Sequence, residues 1–354
     1  LNQNFKINAK IKDRSYPIYI GNDNLDILSK LIDKSPIIIV VDEKVFKLHK
    51  NKLTNLKKLI KNKVEIIELT ADEQTKSLKK AEELYHVAAK NNMTRSSWFL
   101  AIGGGVIGDL TGMVASTYMR GTNLIHIPTT LLAQVDSSIG GKVAVNYEGY
   151  KNLIGSFYQP NAVIADIDFL ETLPKRELVS GLAEVIKYGI LCDRELFYFI
   201  KDQLLLENQW NFKKLVKKSC EIKTNIVAKD EFDKGTRMLL NLGHTFAHAL
   251  EGVTEYRYFK HGEAVMWGLV LSANLSYNLG ILAEKELIEI KNLLNSIDLP
   301  KIPQYVKDKN LLFSHLLHDK KKNGNKLTVI LPEKIGECRI YQCSLDEVLK
   351  VLLE

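Results

Sequence analysis

The stretch SSWFLAIGGGVIGDLTGMVAS, residues 96–116, restricts the fold more than any other part of this chain. An apolar run rich in aromatic and aliphatic residues passes straight into three glycines, and a helix-compatible segment follows. That order reads as strand, tight turn and helix, the opening of a parallel β-α-β unit. Its neighbours repeat the theme. KSPIIIVVDEKV contains a buried strand from Pro36 to Val41, and VEIIEL a second strand. TKSLKKAEELYHVAAKNN is an amphipathic helix, and NLIHIPTT a further strand. Short apolar strands alternating with helices imply parallel pairing in a doubly wound α/β sheet of Rossmann-like type.

After about Thr172 the pattern changes to helical periodicity, as in PKRELVSGLAEVIKYGILC, WNFKKLVKKSCEIKTNIVAKD and GEAVMWGLVLSANLSYNLG. Only KLTVILPEKIGECRI looks strand-like there. The expectation is an α/β domain over residues 1–170 and a mostly helical domain over 171–354, with the boundary between Asp168 and Thr172.

Glycines between a strand and a helix let backbone approach a pyrophosphate, and the first N–H groups of the helix attract its charge. The spacing is not a strict GxGxxG, and a tight turn without a ligand competes with this reading. Asp109, just after the glycines, and Asp42, closing an earlier strand, are candidate partners for ribose or nicotinamide groups.

The helical half carries a second chemistry. Three of the eight histidines, His244, His248 and His261, fall in NLGHTFAHALEGVTEYRYFKHGE, and the carboxylate Glu184 precedes them in SGLAEVIKYG. Two imidazoles and one carboxylate from separate helices make a three-ligand site with one position open, the form that catalytic zinc takes. His244 and His248 are four apart and share a helix face, so either can serve as ligand on spacing alone. Glu184 and Lys187 are three apart. A surface ion pair is the bland reading of such a pair, but apolar and small flanking residues point to a buried face. Lys223, Arg237 and Asn241 precede the histidines, while Arg120, Lys142, Lys151 and Asn152 follow the glycines. So many cationic and amide side chains around a metal suggest a substrate bearing phosphate and carboxylate groups.

Composition excludes several classes. Lys+Arg number 49 against 42 Asp+Glu, an excess of 7 spread along the chain, and no nucleic-acid motif accompanies it. No run of about 18 apolar residues could span a bilayer. The four cysteines show no CxxC spacing, which fits a reducing cytoplasm.

At the level of whole motifs the chain resembles the 3-dehydroquinate synthase family. The blocks that carry the resemblance are GGGVIGDLTG, HIPTTLLAQVDSSIGGKVAVN, KNLIGSFYQP, DFLETLP, GLAEVIKYG, DEFDKGTRMLLNLGHTFAHALE and HGEAVMWG. Ala247 stands where the family often has Gly, a change that a helix accepts easily. The resemblance implies Glu184, His244 and His261 as ligands of a divalent metal, zinc or cobalt, and His248 as an acid–base residue rather than a ligand. It implies NAD contacts at Asp42, Glu73, Lys76, Gly105, Val106, Ile107, Gly108, Asp109, Thr129, Thr130, Lys142, Lys151, Phe169, Leu170, Glu171 and Thr172. Substrate contacts are implied at Arg120, Asp136, Lys142, Asn152, Lys187, Lys223, Arg237, Asn241 and His248, with Lys320 or Lys321 as a further one.

The implied reaction converts 3-deoxy-D-arabino-heptulosonate 7-phosphate to 3-dehydroquinate and phosphate. It runs through transient NAD-dependent oxidation, phosphate elimination, re-reduction and an intramolecular aldol closure, so the enzyme is a lyase. A cytoplasmic homodimer that binds neither nucleic acid nor membrane completes the expectation. The rivals are a metal-dependent polyol dehydrogenase, a cyclase for another sugar phosphate, and a catalytically dead scaffold. The first usually carries GGGSxxDxAK where this chain has GGGVIGDLTG. Joint retention of Asn152, Arg237, Asn241 and His248 argues against the second, and the third would require a lost motif residue.

Overall fold

The structure is a computed structural model, and it describes residues 4–60, 62–205, 210–308, 311–312, 315–316 and 326–353. Eleven strands occur among the described residues. They are β1 (Phe5–Ala9), β2 (Tyr16–Gly21), β3 (Ile37–Asp42), β4 (Val64–Leu69), β5 (Trp98–Gly103), β6 (Asn123–Pro128), β7 (Lys142–Tyr147), β8 (Tyr150–Phe157), β9 (Ala162–Asp166), β10 (Lys326–Lys334) and β11 (Glu337–Ser344). The chain forms two compact units. One comprises residues 1–174 with 212–232, the other 175–211 with 233–354.

The first unit is built on a seven-stranded sheet in the order β1-β2-β9-β6-β5-β3-β4. All pairs are parallel except β1 with β2. The four strands expected from apolar runs are β3 to β6, adjacent in this sheet with β4 at its edge. Their residues alternate between two hydrophobic layers. Ile37, Ile39 and Val41 of β3 join Leu100 and Ile102 of β5 on one face, with Leu53 and Leu56 from a covering helix. Ile38 and Val40 join Phe99 and Ala101 on the other, beneath Leu84 of helix Leu78–Lys90 and Ile107 of helix Gly105–Thr117. A strand buried on both faces has no polar alternation to show, which is why the sequence reads as continuous hydrophobic runs.

Chain order reverses between β3 and β5, because β3 leads outward to β4 while β5 leads the other way to β6. Ligands of open α/β sheets bind where strand order reverses, beyond the carboxyl ends. Here that point lies at Asp42, ending β3, and at Gly103, ending β5.

Three features go beyond the sequence reading. The antiparallel pair β1–β2 at the sheet's edge and the hairpin β7–β8 are two. The third is the place of helix Phe212–Lys229, which lies in the helical half of the sequence but belongs to the first unit. Its Lys223 ammonium bonds the Asp136 carboxylate and carbonyl, both at 2.7 Å, and its Cys220 thiol reaches the Gln134 carbonyl at 3.4 Å.

The second unit is mostly helical. Helices Lys175–Cys192 and His261–Asn278 bury residues on nearly every side, and the strand-like stretch after residue 325 forms the antiparallel hairpin β10–β11. Among the described residues no helix is long and apolar enough to cross a membrane.

His126 on β6 lies buried under Gly108 of the glycine helix, and burial pushes its pKa down from 6.5 to about 4. An unfolded chain therefore takes up a proton near pH 6.5 that the folded chain refuses until about pH 4. Stability should fall across that window as pH drops, by roughly 3 kcal/mol, and level off below it. His126→Gln should remove this part of the pH dependence. Chemical denaturation of both proteins across the window checks it, and equal slopes would exclude the effect.

Candidate functional site

Three helices of the second unit bring Glu184, His244 and His261 together. One ligand atom from each lies within 4.8 Å of the others. His244 and His261 are the first residues of helices His244–Val253 and His261–Asn278, and Glu184 sits mid-way along Lys175–Cys192. Helices can approach this closely only where no Cβ intervenes. A Cβ on Gly268 would stand 2.0 Å from the Gly243 carbonyl oxygen, and one on Gly262 would stand 1.9 Å from the Ser180 carbonyl oxygen. Gly243, immediately before His244, has φ +80, a conformation glycine adopts without steric cost. The Arg176 guanidinium also grips the Glu263 carboxylate at 2.6 and 2.8 Å, tying the start of His261–Asn278 to Lys175–Cys192.

The electrostatics suit a cation. Glu184 is 1% exposed, and neither carboxylate oxygen makes a well-directed hydrogen bond, although the Lys187 ammonium touches Oε2. A buried carboxylate so poorly satisfied calls for a positive partner. His244 Nδ1–H donates to the Leu242 carbonyl at 3.2 Å, leaving Nε2, 3.8 Å from Glu184 Oε1, with its lone pair. Burial first, then the Lys187 charge, hold the His244 pKa well below its ordinary value, so the ring stays neutral. A neutral imidazole facing a buried carboxylate is the donor set a divalent metal takes.

The other candidates of this unit surround the triad to different degrees. The exposed His248 ring lies 5.6 Å from that of His244. Lys187 and Arg237 are buried, and Asn241 is exposed. Lys320 and Lys321 lie outside the described residues.

Candidates in the first unit, Arg120 apart, gather toward the reversal point of its sheet; Arg120 comes just before β6, beside the Met93–Arg95 segment that precedes β5, at the opposite, amino end of the strands. Asp42 caps the following helix, accepting from Lys44 N–H at 2.9 Å, and burial raises its pKa. Gly104 precedes helix Gly105–Thr117, and no side chain caps that helix. Its first N–H groups, Gly105 to Ile107, thus face whatever sits beyond β5. The Thr129 hydroxyl is buried without a hydrogen-bond partner, and Thr130 Oγ1 accepts from Ala133 N–H at 3.1 Å. Lys76, buried, donates to Asp109 Oδ2 at 2.5 Å and to Asn152 Oδ1. Burial raises the Asp109 pKa, and Lys76 partly offsets that rise. Phe169 and Leu170 are buried, whereas Glu171 and Thr172 are exposed; the Thr172 hydroxyl meets His49 Nε2 at 2.7 Å. Asp136 pairs with Lys223 as described. Glu73, Lys142, Lys151 and Arg120 are exposed, and Arg120 lies in a left-handed turn with φ +66.

The model of the 3-dehydroquinate synthase N-terminal domain matches residues 66–180, and that of the C-terminal domain matches 181–322. The 3-dehydroquinate synthase of Natranaerobius thermophilus is 55% identical over 350 residues, covering 96% of this chain and 95% of that protein. The chain belongs to the 3-dehydroquinate synthase family.

Solved cyclases share the family fold. A 2-deoxy-scyllo-inosose synthase, crystallised with carbaglucose-6-phosphate, NAD+ and Co2+, superposes with a TM-score of 0.88 over 99% of both chains at 25% identity. The 2-epi-5-epi-valiolone synthase of Streptomyces hygroscopicus, with NAD+ and Zn2+ bound, also gives 0.88, over 97% of both chains at 26% identity.

Sequence reading missed one residue beside the triad. Glu251, buried at 3% exposure, faces His261 Nδ1 at 3.4 Å and orients that ring. Its signal was present, since Glu251 follows His244 by two helical turns and so shares its face.

The glycine crossings give a direct test. Gly268→Ala should cost about 1–3 kcal/mol of stability and separate His244 from the other two ligands. Titration with Co2+, followed by its visible absorption, should show tetrahedral binding in the parent and weakened binding in the variant. Unchanged Co2+ affinity would mean that the helices do not need this close approach.

Proposed function

We infer that this chain is a 3-dehydroquinate synthase, a lyase that converts 3-deoxy-D-arabino-heptulosonate 7-phosphate to 3-dehydroquinate and phosphate. The observation that carries the reading is the Glu184–His244–His261 triad, found in a chain 55% identical to a 3-dehydroquinate synthase over nearly its whole length. The cyclases for other sugar phosphates stand at 25–26% identity, so a different substrate is not favoured.

In this reading Glu184, His244 and His261 hold a divalent zinc or cobalt ion, and the first unit holds NAD+. When bound, the nucleotide supplies a reversible hydride acceptor and the metal a Lewis acid for the hydroxyl to be oxidised. The chain's own residues position and move protons. The uncapped start of helix Gly105–Thr117 receives the pyrophosphate, with Thr129 offering its unpartnered hydroxyl. Asp42 is placed for a ribose hydroxyl, and Asp109 with Lys76 for the nicotinamide end. Glu73, Thr130, Lys142, Lys151 and Phe169 to Thr172 complete the nucleotide contacts.

Lys142, Lys187, Lys223, Arg237, Asn152 and Asn241 bind the substrate's phosphate and carboxylate, and Asp136 holds Lys223. His248, beside the triad but exposed, relays a proton to and from the substrate hydroxyl. Neutral His244, its Nδ1 already committed to the Leu242 carbonyl, presents only Nε2. One substrate stays oriented through all steps, which makes the final ring closure intramolecular. The reading includes a cytoplasmic homodimer. Four cysteines without CxxC spacing agree with a reducing compartment.

With the heptulosonate phosphate, NAD+ and Zn2+, the protein should release phosphate stoichiometrically without net NADH accumulation. Steady NADH production from a simple polyol would overturn the assignment. His244→Ala should lose metal and turnover together. His248→Ala should keep the metal and lose about 10²–10⁴-fold in kcat; metal analysis of both variants separates the two roles.

A further inference from the structure

Asn146, the last residue of KVAVN and near the end of β7, is used by none of the assignments above, yet it touches three residues that are. Its Nδ2 donates to the Glu73 carbonyl at 3.1 Å and to Glu73 Oε1 at 2.9 Å. Its Oδ1 accepts from Asn152 N–H at 2.9 Å. Its own N–H donates to the Lys76 carbonyl at 2.8 Å, and it bridges in parallel with Ser77.

The hairpin explains why this residue is available. Val145 pairs with Ile154 and Tyr147 with Tyr150, so one residue on β7 faces three on β8, and the register shifts at Asn146. Irregularities of this kind re-aim side chains and leave backbone groups without strand partners. Asn152 is the middle one of those three residues and has φ +56, a left-handed conformation that asparagine tolerates better than most but that still needs support. The Asn146 amide supplies the acceptor that the shifted ladder denies to Asn152 N–H. A residue serving only the hairpin would bond within it. Here three of the four bonds leave the hairpin, two for Glu73 and one for Lys76. Lys76 closes the loop from the other side, since its buried ammonium bonds both Asn152 Oδ1 and Asp109.

We propose that Asn146 is a positioning residue that holds Glu73, Lys76 and Asn152 in one arrangement, coupling the nicotinamide-nucleotide site to the sugar-phosphate site. The proposal rests on the functional reading above, which gives Glu73 and Lys76 to the nucleotide and Asn152 to the substrate. Removing the amide frees Glu73 and leaves Asn152 N–H without its acceptor. Both ligands then bind a less ordered site.

The test measures the NAD+ dissociation constant by calorimetry, KM for the heptulosonate phosphate, and the urea unfolding midpoint, in the full-length chain. Asn146→Ala should weaken NAD+ binding and raise KM by about tenfold each, with the midpoint and Co2+ affinity near those of the parent. Asn146→Asp keeps the acceptor for Asn152 but sets a carboxylate against Glu73, so NAD+ binding should suffer more than KM. Adding Glu73→Gln to Asn146→Asp restores a donor–acceptor pair with the roles reversed, and should recover part of the NAD+ affinity relative to Asn146→Asp alone. Parent-like binding in Asn146→Ala, a loss that tracks the unfolding midpoint, or no recovery in the double variant would each overturn the proposal. A parent protein that binds no NAD+ would instead overturn the functional reading beneath it.

Discussion

A carboxylate buried in a helical unit sets the terms for everything around it. Glu184 lies almost wholly out of water, and an ion in that position is stable only if positive charge or strong donors surround it. Lys187, one turn along the same helix, supplies part of that charge, and the two imidazoles face the remainder. The Lys187 ammonium in turn helps keep His244 neutral. A protonated His244 would neutralise the carboxylate and abolish the site. A neutral one leaves a set of donors that only a cation satisfies.

Close helix packing makes that arrangement possible. The ligand atoms come together because Gly262 and Gly268, both on one helix, let the backbones of two others approach. The same economy appears in the first unit, where the glycines after β5 leave a helix start uncovered and the irregular β7–β8 hairpin turns Asn146 outward. In each unit chemistry sits where regular structure is interrupted. Left-handed residues fall at Gly243, Asn152 and Arg120, each at or next to a candidate site residue.

Much of this was legible in the chain. The runs IIIVV, WFLAIG and NLIHIP became adjacent parallel strands inside the sheet, because a strand buried on both faces must be almost wholly apolar, while VEIIEL, with Glu65 and Glu68 exposed, became the edge strand beside them. GGGVIGD became a strand-to-helix turn. The Glu184/Lys187 spacing, read as a buried face from its flanks, is a buried ion pair. Other features were harder to read. Strands β1 and β2 alternate in burial and so lack the continuous apolar runs that mark β3 and β5. The choice between His248 and His261 could not be made from spacing, since four residues along a helix suits a ligand pair as well as a ligand and its neighbour. Glu251 and Asn146 looked like ordinary polar residues, because their roles depend on partners 10 and 73 positions away.

The sequence by itself determined what kinds of residue stand in which local structure. Hydrophobic period, glycine placement and motif order established a doubly wound sheet, a helical unit and the family to which the chain belongs. Those properties follow from short-range sterics and from the burial that each segment needs. Tertiary structure alone decided which side chains meet. It returned helix Phe212–Lys229 to the first unit so that Lys223 faces Asp136, and it brought His261 rather than His248 within reach of Glu184. Such contacts join residues tens of positions apart through the crossing of helices and the register of a hairpin. No local pattern in the chain records distances of that kind.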